Sequence, residues 1–269
     1  MLPLWDDNPV SRRPYVTLVF IGLCVASFLL WQPTPFSDTV DDTRFALDWA
    51  VVPCEVIEGR PLSVDEVVAT FQVGDERACG VGEPTPPFDA GKLVYPSILA
   101  AAFLHAGIFH LLGNLLFLWV FGNNVEDRLG HVLFALFYLA GAVVAALAHV
   151  VVDTASTVPM IGASGAIAAV MGAYLVWFPD ARIRTLVVII PLDVRARWVL
   201  GFWFVLQFFT DPNDGVAWMA HVGGFLFGVL VGLVVRVVGG DDRPDPAPRI
   251  PYGGWPPAPP PPRRPDGRY

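Results

Sequence analysis

The sequence predicts an all-α membrane protein with a bundle of six transmembrane helices, and three observations carry this prediction. Hydrophobic residues make up 54% of the 269-residue chain and charged residues only 16%, whereas soluble domains carry roughly a quarter charged residues. Six segments are continuously apolar over near-spanning lengths, unlike the short alternating segments of membrane strands. The basic residues also divide between the segments in the manner of cytoplasmic and outer loops.

The six apolar segments are the predicted spans, each approaching the roughly 20 residues that a bilayer core requires. They lie at about 15–31, 108–124, 131–152, 162–178, 198–210 and 216–238. The first span is expected to be retained, because no small-x-small cleavage site follows it. The fifth is the shortest, and a start as early as Leu186 is left open.

Lysine and arginine positions favour both termini in the cytoplasm. In that orientation the two short outer loops, at about 153–161 and 211–215, contain no lysine or arginine. The inner segments hold Arg12, Arg13, Arg128, Arg182, Arg184, Arg195, Arg197 and Arg236. We expect a bacterial plasma membrane, because the N-terminus lacks the Arg- and Ser-rich composition of a transit peptide.

Three segments lie outside the bundle of residues 15–240. A cytoplasmic N-terminus is predicted at 1–14, and a disordered Pro-rich cytoplasmic tail at 241–269. The first outer loop, about 32–107, is too long for a simple connection and is expected to fold on or partly in the outer leaflet. Cys54 and Cys79 both lie there on the oxidising side, where a disulfide and two free thiols are both open.

Composition also excludes several classes of function. A net charge of −8 argues against a nucleic-acid binder, which would normally be basic. Only three cysteines argue against a multi-cysteine metal domain. Cys24 lies within the first span and is expected to be an inert residue that either faces lipid or is packed in the bundle. We predict that no metal and no cofactor is required, and that the lipid bilayer is the surrounding partner.

Four polar side chains inside or at the ends of spans are the candidate functional residues, because such groups are costly in lipid. They are His110, Asn114, Ser164 and His221. The second, fourth and sixth spans run in the same direction, so all four residues fall at a similar shallow depth near the outer face. We expect them to converge on one water-accessible pocket.

The pair Ser164 and His221 predicts nucleophilic catalysis. A serine hydroxyl attacks only when a base takes its proton, and a neutral imidazole does this near neutral pH. No acidic residue lies in the fourth or sixth span, which favours a Ser–His dyad over a triad. Ser164 at a helix N-terminus, with His110 and Asn114 as added donors, suits a developing oxyanion.

Small residues predict how these spans pack. The fourth span is rich in glycine and alanine along its length, which indicates the centre of the bundle. The sixth carries Ala220, Gly224, Gly228 and Gly232 at a spacing of four. Such a stripe permits close backbone contact, so the fourth and sixth spans are expected to cross closely and bring serine and histidine together.

Four short segments carry a further pattern: 105–114 (HAGIFHLLGN), 122–130 (GNNVEDRLG), 162–165 (GASG) and 220–224 (AHVGG). Together they resemble the corresponding segments of the rhomboid intramembrane serine proteases. They occur in the family's order over about 95–235. The resemblance implies that Ser164 is the nucleophile and His221 the general base. His110, Asn114 and the Ser164 backbone N–H would then form the oxyanion site.

The resemblance also implies the substrate class, which is single-span membrane proteins cleaved near the outer face of the bilayer. Glu126 and Arg128 match a family motif at the cytoplasmic end of the second span, where a structural role is expected. Ala168 departs from the family pattern, because many relatives carry at that position an aromatic residue that stacks on the histidine. Val216 stands where a glycine is frequent.

Two alternatives remain open at this point. A catalytically silent rhomboid-like protein would bind membrane proteins without cutting them, and it would typically lack the serine or the histidine. A small-molecule transporter would use the polar residues as a path, and it would show broken helices at the midplane and often internal repeats.

Overall fold

The computed structural model describes residues 1–33, 40–82, 85–210 and 217–238, and most of these residues are helical. The predicted tail, the short outer loop at 211–215 and Val216 lie outside the described residues. The elements in chain order are β1 (Leu2–Asp6), α1 (Tyr15–Ala26), α2 (Val40–Trp49), α3 (Pro53–Glu58), α4 (Val64–Val68), α5 (Ser97–Ala100), α6 (Ile108–Leu129), α7 (His131–Val152), α8 (Ser164–Trp177), β2 (Arg182–Val187), β3 (Ile190–Arg195), α9 (Ala196–Leu206) and α10 (Trp218–Val238).

Apolar helices occupy the positions of all six predicted spans. Three of them, α6, α7 and α10, are long and apolar enough to cross a membrane. The other three are shorter: α1 with the π-helical turn Ser27–Trp31, α8, and α9 with the 3₁₀ turn Gln207–Phe209. The molecule therefore has the character of a membrane protein, while the count of six spans remains a prediction.

The expectation of an all-α chain is wrong at one end of the bundle. The strands β1, β2 and β3 form an antiparallel sheet in that order. Residues 182–195 form its hairpin, so the fifth apolar helix begins at Ala196 and does not reach back to Leu186. The alternation of exposed Arg182 with buried Ile183 has the two-residue period of a strand. Short apolar runs do not by themselves distinguish strand from helix.

Asp6 joins this sheet to the helices. Its carboxylate accepts hydrogen bonds from the Tyr174 hydroxyl of α8 and from the Asn124 amide of α6, each at 2.6 Å. Burial raises the pKa of Asp6 to about 7, even though both hydrogen bonds act in the opposite direction. The N-terminal strand is thus anchored on the two helices that carry most of the candidate site.

Glu126 joins the start of α1 to the end of α6. This buried carboxylate accepts the backbone N–H groups of Val16 and Thr17 at 2.9 and 2.8 Å, and the Thr17 hydroxyl at 2.7 Å. It also contacts Nδ1 of His131. Because the first turn of α1 has no side-chain cap of its own, Glu126 supplies the acceptors that those N–H groups require. This is the structural role expected of it.

The outer loop contains a compact segment closed by a disulfide between Cys54 and Cys79. Glu66 at its centre accepts hydrogen bonds from Arg60 and from the backbone N–H groups of Ser63 and Gly80. Burial acts to raise the pKa of Glu66, but these hydrogen bonds outweigh it and lower the pKa to about 2. The sequence left this disulfide open, and the structure contains it.

This segment is joined to the connection between α7 and α8. Val51 and Met160 exchange two backbone hydrogen bonds at 3.1 and 2.7 Å. The Cys54 N–H donates to the Ser156 carbonyl at 2.9 Å, and Arg77 forms an ion pair with Asp153 at 3.0 Å. The outer loop therefore supports the chain that leads directly into α8.

We predict that losing the disulfide loosens both the outer segment and the connection between α7 and α8. In a Cys54→Ser/Cys79→Ser variant, the outer segment should lose about 3 kcal/mol of stability, because the bridge closes a loop of 25 residues. Hydrogen exchange should rise in residues 45–82 and in 153–161. Cys24→Ala is the control, since it removes the free thiol and leaves the bridge. Unchanged exchange in the double variant would contradict the prediction.

The close crossing predicted from the small residues is present. Helix α8 packs against α10, α7 and α6 and is buried along most of its length. A Cβ atom at Gly224 would lie 2.1 Å from the Gly165 carbonyl oxygen, and one at Gly228 would lie 1.9 Å from that of Ala169. Only glycine permits this backbone approach between α8 and α10.

Candidate active site

Ser164 is the first residue of α8, and the backbone before it is specialised. Gly162 has φ +132°, a conformation that side-chain-bearing residues rarely adopt, and a Cβ there would lie 2.8 Å from Cε1 of His110. The Gly162 N–H donates to the Ala101 carbonyl at 2.9 Å. The serine therefore sits where a helix begins and its first N–H groups lack intrahelical partners.

His221 lies in the first turn of α10 and reaches the serine across the helix crossing. Its Nε2 atom is 2.8 Å from Oγ of Ser164, although the two residues are 57 positions apart. Helix α10 begins at Trp218, so His221 lies slightly nearer the helix start than the predicted span placed it. The contact that the sequence predicted is thus within hydrogen-bonding distance.

Two residues of the α9 segment also contact His221, and neither was predicted from the sequence. Nδ1 of His221 is 2.7 Å from Oε1 of Gln207. The Trp203 ring lies against the imidazole, with centroids 5.6 Å apart. Gln207 could have been noticed in the sequence, because it is a lone glutamine in an otherwise apolar segment. Trp203 supplies an aromatic neighbour where Ala168 supplies none.

His110 and Asn114 line the same cavity as Ser164 and His221, a space of about 1110 Å³. Asn114 is buried, and its Nδ2 atom has no hydrogen-bond partner among the described residues. Buried donors are nearly always paired in native proteins. An unpaired amide that lines the cavity is therefore available to a ligand oxygen.

His105 has a different place. Its backbone exchanges hydrogen bonds with the Gln32 side chain, which ties the end of the first apolar helix to the start of α6. Its ring is buried 5.3 Å from that of His110. Burial, and then the neighbouring His110, lowers the pKa of His105 to about 3. It is therefore a packed neutral residue.

One cluster of potential metal ligands occurs among the described residues, formed by Cys54, Glu66 and Cys79. Both sulfur atoms are committed to the disulfide. Ligation by zinc or similar ions requires thiolates, so this cluster does not fit a metal in its oxidised state.

The fold and the site together define a helical membrane protein with a serine and a histidine paired in a wide cavity that is partly open to the surface. A family model described as "Rhomboid domain" matches residues 94–237, which is more than half of the chain. The chain belongs to the rhomboid family. Members of this family are generally intramembrane serine proteases, although some are inactive.

Curated relatives match over the same region. The chain is 30% identical over 155 residues to the mitochondrial presenilin-associated rhomboid-like protein of Bos taurus, covering 52% of this chain and 38% of that protein. It is 32% identical over 145 residues to the mitochondrial rhomboid protein 1 of Saccharomyces cerevisiae, covering 51% and 40%. It is 30% identical over 130 residues to the rhomboid protease GlpG of Yersinia pestis, covering 48% and 44%. The matches thus span less than half the length of these relatives.

Proposed function

We propose that this protein is an intramembrane serine endopeptidase with Ser164 as nucleophile and His221 as general base. The observation that carries the proposal is the 2.8 Å contact between Oγ of Ser164 and Nε2 of His221. A serine that only packs helices together is not expected to form a hydrogen bond with an imidazole. A histidine that only links two helices is not expected to line a cavity.

The reaction follows from the placement of the groups. Nε2 of His221 takes the Ser164 proton while Oγ attacks the scissile carbonyl carbon. The resulting oxyanion is held by the Ser164 N–H at the start of α8 and by the side chains of His110 and Asn114. Protonated His221 then gives its proton to the leaving amine. Water hydrolyses the acyl-enzyme by the same steps, which restores the Ser164 hydroxyl.

The proposed substrates are single-span membrane proteins. Rhomboid family proteins act on membrane proteins, but a regular helix keeps its carbonyls in hydrogen bonds, and lipid provides no replacement partners. The cavity at Ser164 contains polar side chains that can receive a locally unwound segment. Cleavage is therefore proposed where the substrate helix unwinds beside this cavity.

The proposed topology has six spans, cytoplasmic termini and the active site near the outer face. It rests on the distribution of basic residues and on the disulfide-closed outer segment, which suits an oxidising compartment. The named relatives are mitochondrial or bacterial. We place this protein in a bacterial plasma membrane, with the Ser164 side facing outward.

A fluorophosphonate probe tests the proposal, because it reacts with activated serines. The wild-type protein in detergent should be labelled at Ser164, Ser164→Ala should not be labelled, and His221→Ala should be labelled far more slowly. Ser156→Ala is the matched control, since Ser156 lines the same cavity and its replacement should leave labelling intact.

Absence of labelling in the wild type, or labelling that persists in Ser164→Ala, would contradict the proposal. The first outcome is also the one expected of a catalytically silent rhomboid-like binding protein or of a transporter. The same experiment therefore separates these alternatives from the protease.

A further inference from the structure

The side chain of Gln207 is hydrogen-bonded at both ends of its amide. Its Nε2 donates to the Trp203 carbonyl oxygen at 2.9 Å, and its Oε1 lies 2.7 Å from Nδ1 of His221. A carbonyl oxygen can only accept. The amino group must therefore face Trp203, which leaves the oxygen facing the histidine, so the orientation of the amide follows from its partners.

This orientation determines the proton position on His221. Because Oε1 of Gln207 can only accept, Nδ1 of His221 must carry the hydrogen. A neutral imidazole with a proton on Nδ1 has its lone pair on Nε2. That atom is the one 2.8 Å from Oγ of Ser164. The histidine is thus held in the only neutral tautomer that can accept the serine proton.

We propose that Gln207 is a positioning residue that fixes the tautomer and ring orientation of His221, a role that rests on the proposed function. Trp203 and Gln207 lie four residues apart on one helical face. The Trp203 ring packs beside the imidazole, and the Trp203 carbonyl accepts the hydrogen bond from the glutamine. Gln207 thus occupies the place that an aspartate has in a Ser–His–Asp triad.

A neutral third residue suits this site. Gln207 is only 7% exposed, and burying a carboxylate there would cost several kcal/mol without a strong counter-ion. The titratable side chains whose charges act on His221 are His110 of α6 and His149 of α7, and neither compensates a negative charge while neutral. The amide supplies an acceptor without that cost, but it stabilises the imidazolium less than a carboxylate does.

Two substitutions test this role by kinetics on a cleavable membrane substrate. Gln207→Leu has similar size but offers no acceptor, and kcat should fall about tenfold to a hundredfold with little change in KM, short of the roughly 10⁴-fold seen when a charged partner is neutralised. Gln207→Glu restores an acceptor for Nδ1 of His221, but it loses the donor to the Trp203 carbonyl and adds a buried charge, so it should recover only part of the lost kcat. It should also move the acid limb of the kcat profile to higher pH by about one unit, because a carboxylate favours the protonated imidazole.

Thr210→Val is the matched control. Thr210 follows Gln207 in the same segment, and its hydroxyl bonds the Leu206 carbonyl rather than His221. This variant should keep the wild-type kcat and pH profile. Wild-type kcat and an unmoved profile in both Gln207 variants would overturn the inference.

A spectroscopic readout separates this inference from the proposed function. In protein labelled with ¹⁵N-histidine, and assigned by comparison with His221→Ala, wild-type His221 should show the Nδ1–H tautomer. Gln207→Leu should show loss of that preference. A wild-type protein without cleavage or labelling would contradict the proposed function alone, and an Nε2–H tautomer in the wild type would contradict the Gln207 inference alone.

Discussion

Replacing Ser164 with alanine is expected to abolish cleavage of membrane substrates, which is the largest effect predicted for this protein. The variant keeps the fold, because alanine is smaller and suits a helix start that already follows Ala163. It removes the only hydroxyl within hydrogen-bonding distance of His221 among the described residues. Removing the nucleophile of a serine protease typically lowers kcat by about 10⁶-fold.

The measurement is co-expression with a tagged single-span substrate, scored by the appearance of the cut fragment. His221→Ala should lose about as much as Ser164→Ala, and the double variant should lose little more, because the two residues act as one unit. Ser156→Ala again serves as the control and should cleave normally. Equal cleavage by the wild type and both single variants would rule out the Ser164–His221 mechanism.

Replacing Gly228 with alanine is expected to cause the largest loss of stability. The added Cβ would lie 1.9 Å from the carbonyl oxygen of Ala169 and 2.7 Å from its carbonyl carbon. Both are backbone atoms that no rotamer change can move, so α8 and α10 must separate. Overpacking typically costs about 1–3 kcal/mol and occasionally more, and this contact lies in the tightest helix pair of the bundle.

Thermal unfolding in detergent and fluorophosphonate labelling measure this effect together. Gly228→Ala should unfold at a lower temperature and label slowly, because separating α8 from α10 lengthens the contact between Ser164 and His221. Gly201→Ala in α9 is the matched control, since no atom of the described residues lies within 4 Å of a Cβ there. It should be neutral or stabilising by up to about 1 kcal/mol, as alanine favours helix. A Gly228→Ala variant as stable as the control would contradict the prediction.

The candidate site was predictable where a costly residue stood in an apolar segment. Ser164 and His221 were conspicuous because lipid-embedded polar groups require a reason. The glycines of α10 predicted the close crossing because their spacing of four places them on one helical face. Each of these signals is local, and each can be read from a single segment of the chain.

The sheet depended on a partner distant in sequence, and the third residue of the site depended on how the α9 segment packs against α10. Residues 182–195 form strands because β1, from the far end of the chain, pairs with β2. Gln207 is an ordinary polar residue until the fold brings its amide between Trp203 and His221. The bridge between Cys54 and Cys79 remained open for the same reason, since composition shows the compartment but not the separation of the two sulfurs.

The sequence by itself determined which segments are apolar enough to lie in a bilayer and which side chains are candidates for catalysis. Hydrophobicity, helical periodicity and the cost of burying polar groups are properties of short segments. Only the tertiary structure decided which of those side chains meet. The 2.8 Å contact of Ser164 with His221, and the amide that orients the imidazole, depend on how closely α8, α9 and α10 approach. That approach is a sum of many backbone contacts between helices, and no single segment contains it.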